Sequence, residues 1–197
     1  MRTFPFRTKD GRAGIVREAR NADARAALAI TAEAMHERPR TLAVTERELW
    51  SAREWRRHRL GWDPAGVTLV AEVDGGVAGV LSAHRGLRPS VAHVAEFGIT
   101  VATDLRSRGV GRSLIEAAED WAREYGVIRM TLRVFATNER AHALYRALGY
   151  EDEGVEHAGV RFPEGTVDVV RMYKFLTRPH EERAGSRKGE GTWQRNT

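Results

Sequence analysis

Between Val91 and Phe135 the chain carries an apolar, β-branched run, an amphipathic helical pattern and a second apolar run. No other stretch restricts the fold as much. Residues 91–101 follow Pro89-Ser90 and read as a strand. From about Arg108 to Tyr125, the residues Val110, Leu114, Ala117, Ala118, Trp121 and Tyr125 recur on one helical face. Gly126 suits the position just past that helix. Ile128 to Phe135 reads as the next strand. A strand, a crossover helix and a strand leave the two strands parallel, with a right-handed connection.

The flanking segments complete a sheet. Residues 13–19 read as a first strand, and Asn21 and Asp23 offer caps for a helix carrying Leu28, Ile30, Ala34 and Met35. Thr45 with Glu48 has the spacing of a capping box, opening a helix with Leu49, Trp50, Trp55 and Leu60 that ends near Gly61. Val67–Val73 and Val77–Ala83 flank Asp74-Gly75-Gly76, a hairpin signal. Asn138 to Leu148 reads as a short helix ending at Gly149, with Tyr150–Ala158 and Thr166–Phe175 as a closing strand pair. The fold class is therefore α+β, an α/β sandwich. Its mixed, mostly antiparallel sheet holds a central parallel βαβ unit, with helices on both faces. Residues 1–176 form one domain in this reading, and 177–197 a flexible polar tail, since Trp193 alone builds no core.

Composition narrows the class. Hydrophobic residues make up 42% and charged residues 30% of 197, with no apolar run near the ~18 residues of a membrane span. Met1-Arg2-Thr3-Phe4-Pro5-Phe6 lacks the apolar core of a secretory signal, so a cytoplasmic protein is expected. The absence of cysteine excludes disulfides, thiolate metal sites and an acyl-cysteine intermediate. The net charge of +5 comes mainly from dispersed arginines; without a basic block, nucleic acid and membrane surfaces are not expected partners. An anionic small ligand needs only a few of these charges.

The chemistry concentrates at Arg106-Ser107-Arg108-Gly109-Val110-Gly111-Arg112, between the strand and the long helix. A helix start leaves about four N–H groups unpartnered at the positive end of the dipole. Gly109 and Gly111 let a phosphate approach that backbone, and Arg106, Arg108 and Arg112 add charge around the turn. Leu114 stands where a Rossmann third glycine would be, and no Gly-Lys-Ser/Thr follows, so NAD and ATP fit poorly.

Arg106-x-x-Gly109-x-Gly111 resembles the pyrophosphate loop of GNAT acetyltransferases, [QR]-x-x-G-x-[GA]. Asn138-x-x-Ala141-x-x-Leu144-Tyr145-x-x-x-Gly149-Tyr150 resembles the second signature of that superfamily. The two lie 29 residues apart, from Gly109 to Asn138, with a helix and a strand between them. The chain is thereby identified as similar to single-domain, bacterial-type GNAT N-acetyltransferases. The resemblance implies acetyl-CoA as co-substrate and no metal. It implies that Ile99, Thr100 and Val101 pair with the pantetheine arm where the parallel strands splay. Ser107 to Arg112, Val110 included, would hold the pyrophosphate, Asn138 would bond near the pantetheine, and Tyr145 would protonate the departing thiolate.

Each residue has a plainer reading. Tyr145 lies on the Ala141/Leu144/Leu148 face, where an aromatic simply packs, and Asn138 serves equally as an N-cap. Glu96 interrupts an apolar strand, where a charge is costly unless it lines a cavity or is paired. Its surroundings resemble GNAT branches, phosphinothricin-type enzymes among them, in which this glutamate is a proposed base. The base position of ribosomal-protein acetyltransferases is occupied by Arg133. Asp168, His93 and His157 are further candidates, and Trp50, Trp55 and Trp62 either roof a substrate pocket or pack as helix aromatics.

The expectation is direct acetyl transfer to a primary amine, taken as that of a small molecule, with a homodimer left open. A protein lysine or N-terminal acetyltransferase, or an acyl-CoA sensor without catalysis, are the competing readings.

Overall fold

The computed structural model describes residues 3–44, 48–59 and 65–177. Strands β1 (Thr3–Arg7) and β2 (Ala13–Glu18) lead to helices α1 (Ala24–Met35) and α2 (Ala52–Arg59). Then come β3 (Gly66–Val73), β4 (Gly76–Arg85), β5 (Val94–Val101), α3 (Val110–Glu124), β6 (Arg129–Phe135), α4 (Glu139–Ala147), β7 (Glu151–Phe162) and β8 (Gly165–Phe175). They form one eight-stranded sheet in the order β1-β2-β3-β4-β5-β6-β8-β7. Only the β5–β6 pair is parallel. The mixed sheet with its central βαβ unit is the one expected from the sequence.

Local chemistry accounts for most boundaries. Asp74 and Gly75 both take positive φ, 50° and 80°, as a two-residue type I′ hairpin demands. Gly126 (φ 71°) and Gly149 (φ 86°) end α3 and α4 in the left-handed region. The side chain of Asn138 accepts from the Ala141 N–H at 3.2 Å, the N-cap bond read from the sequence.

Four boundaries differ from the sequence reading. Helix α2 starts at Ala52, where the Ser51 hydroxyl accepts from the Glu54 N–H and the Glu54 carboxylate accepts from the Ser51 N–H. That reciprocal pair, six residues beyond the expected Thr45 start, is the working capping box. Thr45, Leu60, Gly61 and Trp62 lie outside the described residues, as do 178–197 of the expected tail. Strand β1 was not anticipated because Pro5 argues against a strand; it sits at the sheet edge, where proline is tolerated, with Phe4 and Phe6 packed on the core. Strand β5 begins at Val94 because Pro89–Val91 coil into a 3₁₀ turn. Strand β7 runs on to Phe162 across register shifts near Asp152 and Glu156.

Alternation along the strands divides the core. Leu69, Ala71, Leu81, Ala95 and Phe97 face α3 and α4, whose Val110, Leu114, Ile115, Ala118 and Tyr145 are buried against them. On the other face Val70 and Val80 meet Ala24 and Ala27 of α1 and Trp55 of α2. Trp55 is thus packing for α2, which decides between its two sequence readings.

The entry to α1 is held by a buried ion pair. Arg17 on β2 donates from both terminal nitrogens to Asp23 at 2.8 and 2.9 Å, and from Nε to Glu72 on β3 at 3.1 Å. Arg17 and Asp23 are only 9% and 6% exposed. The hydrogen bonds from Arg17 hold the Asp23 carboxyl below the usual carboxylate range, against its burial. A carboxyl lowered on folding contributes stability that is present above its unfolded value near 4 and lost as pH falls through the folded value. Asp23→Ala should cost about 3–5 kcal/mol by urea denaturation at pH 7, because it strands the Arg17 charge. The gap from wild type should narrow below about pH 4.

Candidate active site

The β5–β6 ladder covers only Val94↔Arg129, Ala95↔Met130 and Glu96↔Thr131, although both strands continue. Beyond it the strands part. Alternation along β5 turns the backbone groups of Phe97, Ile99 and Val101 toward the gap, while the ladder to β4 runs on. Each end of the opening is fastened by a side chain. Thr131 Oγ1 donates to the Ala95 carbonyl at 3.1 Å, and Arg106 Nε donates to the Val101 carbonyl at 2.9 Å.

A cavity of about 600 Å³ occupies this gap and reaches both faces of the sheet. On the α3/α4 side it is lined by Gly109, Gly111, Arg112, Asn138, Leu144 and Tyr145. Across the sheet it meets Ala34, Thr41, Leu42, Arg133, Phe135 and Val169. A Cβ on Gly98, between the two sides, would meet nothing within 4 Å. The far side is roofed by the segment after α1, which Arg40 ties to the β7–β8 turn by an ion pair with Glu164 and by stacking 4.1 Å over Phe162.

The loop ahead of α3 is shaped for an anion. Ser107 (φ 59°) and Gly109 (φ 97°) adopt left-handed backbone, and the first helical bond runs from Ser113 N–H to the Gly109 carbonyl at 3.1 Å. The N–H groups of Ser107 to Arg112 thus have no hydrogen-bond partner among the described residues. A phosphate-sized anion fits that array. Gly111 has a second reason to be glycine: a Cβ there would lie 3.2 Å from Leu144 Cδ2, closing α3 against α4.

The cations differ from the three-arginine cradle read from the sequence. Arg106 is ion-paired with Glu37, and Arg108 pairs with Asp10 while donating to the Asp104 carbonyl at 2.9 Å. Both are occupied in holding the loop. Val110 is fully buried, so of it only the backbone is available. Arg112 remains at the cavity, with a loose 3.4 Å contact to Glu116. Lys9, from the β1–β2 turn, and Arg140, on the first turn of α4, also line the cavity and were missed by the sequence reading. No local motif marks them. The Lys9 N–H donates to the Arg108 carbonyl at 3.0 Å, so the hairpin is docked on the loop.

Tyr145 is 6% exposed and lines the cavity beside Phe97. Its ring meets Phe97 and Tyr150 edge-on, each at 6.1 Å. Burial pushes its phenol up, so it is protonated at neutral pH and suited to donate. Ile99, Thr100 and Val101 also line the cavity. Glu96 does not: it lies two residues ahead of Gly98 and shares the far face with it, partly exposed. His93 is exposed, and His157 bonds Asp168 at 3.0 Å on the surface; neither histidine nor Asp168 lines the cavity. Among the described residues no cluster of three or more His, Asp or Glu could hold a metal, and no helix is long and apolar enough to cross a membrane.

A family model described as Acetyltransferase (GNAT) family matches residues 30–150. The chain belongs to this family. An L-amino acid N-acetyltransferase, AaaT, of Escherichia coli K12 is 39% identical over 102 residues, covering 50% of this chain and 61% of that protein. The bS18-alanine N-acetyltransferase of Salmonella typhimurium is 34% identical over 76 residues, covering 39% and 51%. The chain thus spans about half to three-fifths of the length of these relatives. Among solved GNAT structures, the ribosomal-protein-alanine N-acetyltransferase from Brucella melitensis shows 30% identity and a TM-score of 0.69, over 81% of this chain and 98% of that one. A phosphinothricin acetyltransferase from Sinorhizobium meliloti, solved with AcCoA, gives a TM-score of 0.74 at 23% identity, over 91% and 95%, a likeness of fold. The GNAT match starts at residue 30, so the hairpin that carries Lys9 lies outside it.

The two loop glycines should respond differently to alanine. Gly109→Ala forces an L side chain to φ 97° and should lose about 1–2 kcal/mol in chemical denaturation. Gly111→Ala keeps helical backbone and asks only a small shift of Leu144, so it should lose less. Equal losses would mean that contact with Leu144, and not backbone conformation, sets the requirement.

Proposed function

We propose that this chain transfers the acetyl group of acetyl-CoA to the primary amine of a small molecule, in one ternary complex. The observation that carries the reading is a gap through the sheet with an anion-binding loop on one side and a roofed, mostly apolar lobe on the other. A thioester entering from the α3/α4 side and an amine entering from the α1 side would meet in that gap. The co-substrate fits the residues present. The free N–H groups of Ser107 to Arg112 would receive its pyrophosphate, with Arg112, Lys9 and Arg140 beside them. The unpaired backbone of Ile99 and the Val101 N–H would hold the pantetheine as an added strand, with Thr100 between them and Asn138 nearby.

The transfer balances without a covalent enzyme intermediate. The amine nitrogen attacks the carbonyl carbon, the C–N bond forms and the C–S bond breaks. The thiolate takes the phenolic proton of Tyr145, and the proton lost by nitrogen returns to Tyr145 through the base. In this reading Glu96 is the base. Because it stands outside the cavity lining, the proton would reach it through a water. An N–H turned into the gap near Ile99 would stabilise the developing oxyanion. The competing acceptor, a protein alanine as in the bS18-alanine enzymes, is less well served by a lobe roofed by residues 41–43.

Acetyl-CoA at a hundredfold excess over its Kd should stabilise the fold by about 2.7 kcal/mol, or about 5–10 °C in Tm. NAD and ATP should do far less; equal shifts with all three would reduce the loop to a generic anion site. Tyr145→Phe should leave that shift intact and lower kcat by roughly tenfold to a thousandfold. An unchanged kcat would leave Tyr145 as packing for the Phe97–Tyr150 cluster.

A further inference from the structure

Among the described residues five cationic side chains line the cavity, Lys9, Arg106, Arg112, Arg133 and Arg140, and no aspartate or glutamate does. Four of the five belong to the α3/α4 side or the loop that serves it. Arg133 alone stands on the acceptor side, on β6, among Phe135, Val169 and Leu42. A polyamine or an aminoglycoside would bring several positive charges into this lobe and meet no acid among its described residues, and like charges brought together in an interface are costly.

The surroundings of Arg133 sharpen this. Register places Arg133 directly opposite Arg171 on β8. Like charges facing each other across a ladder are destabilising. One carboxylate serves both: Glu156 on β7 pairs with Arg133 and lies 3.7 Å from Arg171 through its other oxygen. The cluster is therefore one negative charge short. Glu156 engages a single terminal nitrogen of Arg133, and a guanidinium carries five donors in a planar fork suited to carboxylate. The Arg133 side chain is 43% exposed, so a solute can reach the remaining donors.

We propose that the acceptor carries a carboxylate as well as its amine, and that Arg133 is the residue that reads it. This rests on the acetyl-transfer reading above and adds the acceptor's class: a small amino acid whose apolar side chain lies against Phe135, Val160 and Val169. The acceptor carboxylate completes a cluster of two guanidiniums and two carboxylates, and the amine is left toward the gap.

The test compares L-leucine with L-leucinamide and 3-methylbutylamine, which keep the amine and apolar body but lose the charge. Wild type should favour leucine over both by about tenfold to a hundredfold in kcat/KM, the range of a charge-assisted pair. In Arg133→Gln that preference should collapse to within about threefold, mainly through KM, and Arg133→Lys should restore part of it. Glu156→Gln, which frees the guanidinium, should lower KM for leucine. Calorimetry of the same three compounds on the protein saturated with CoA gives a readout independent of turnover. Leucine binding without turnover would uphold the carboxylate site while sinking acetyl transfer. Turnover of all three compounds at similar kcat/KM would sink the carboxylate site alone. If Arg133→Gln leaves the preference for leucine intact, the assignment to Arg133 is wrong.

Discussion

The site depends on a parallel strand pair that stops pairing. Backbone N–H and C=O groups inside a protein are almost always partnered, and leaving one without a partner costs about as much as a lost hydrogen bond. Here β5 and β6 separate after three paired residues and leave several such groups on a cavity. The opening does not unzip the sheet, because Thr131 and Arg106 each take a β5 carbonyl at its two ends. The remaining groups, on Phe97 and Ile99, suit a ligand that can run alongside as a strand. An antiparallel hairpin could not do this, since its tight turn would hold the two strands in register. The βαβ crossover separates them in sequence and lets them diverge in space.

A second constraint couples the two sides of the gap. Glu37, just past α1, accepts from Thr41 at 2.8 Å and Thr103 at 3.1 Å and is ion-paired with Arg106. Burial pushes its carboxyl up, but the hydrogen bonds from Thr41 and Arg106 more than offset this, and the net shift is downward. The group is charged at neutral pH and anchors Arg106. Arg106 therefore acts as a brace, holding the end of β5 and the start of the loop ahead of α3 at once. Thr41 lies on the acceptor roof, so one carboxylate sets the spacing between the roof and the loop.

What was legible in the sequence followed from local rules. The Asp74-Gly75 turn, the αL glycines at 126 and 149 and the Asn138 cap each depend on residues within a few positions, and each was found where it was read. The unpartnered amides ahead of α3 were legible because a helix start and its glycines are contiguous. What lay hidden was partnership across the chain. Arg106 and Arg108 look free until the fold brings Glu37 and Asp10 to them, and Lys9 looks like a turn residue until the β1–β2 hairpin docks on residue 108. The α2 start was misplaced because Thr45 with Glu48 has capping-box spacing, while the reciprocal bonds that open the helix are made by Ser51 and Glu54. Glu96 illustrates the limit of pattern: a charge in an apolar strand signals a special environment, yet it did not distinguish the wall of a cavity from the face beside it.

The charge distribution also bears on how an amine can react here. A primary amine with a pKa near 10.4 is protonated in all but about one molecule in a thousand at pH 7. Nearby positive charge disfavours the ammonium form, and the described lining, with cations and no acid, supplies it. Phosphates at the loop would compensate Lys9, Arg112 and Arg140, but they sit at the far end of the gap from β6. Arg133 is the cation on the proposed acceptor side, and an acceptor carboxylate paired with it would compensate that charge as well. What the described lining lacks is a carboxylate to press against an amine nitrogen and stabilise its ammonium form. That is consistent with Glu96 standing back from the cavity, where a strongly held ammonium–carboxylate pair would stabilise the unreactive form of the substrate. In the proposed reaction a base reached through water would remove the proton without forming that pair.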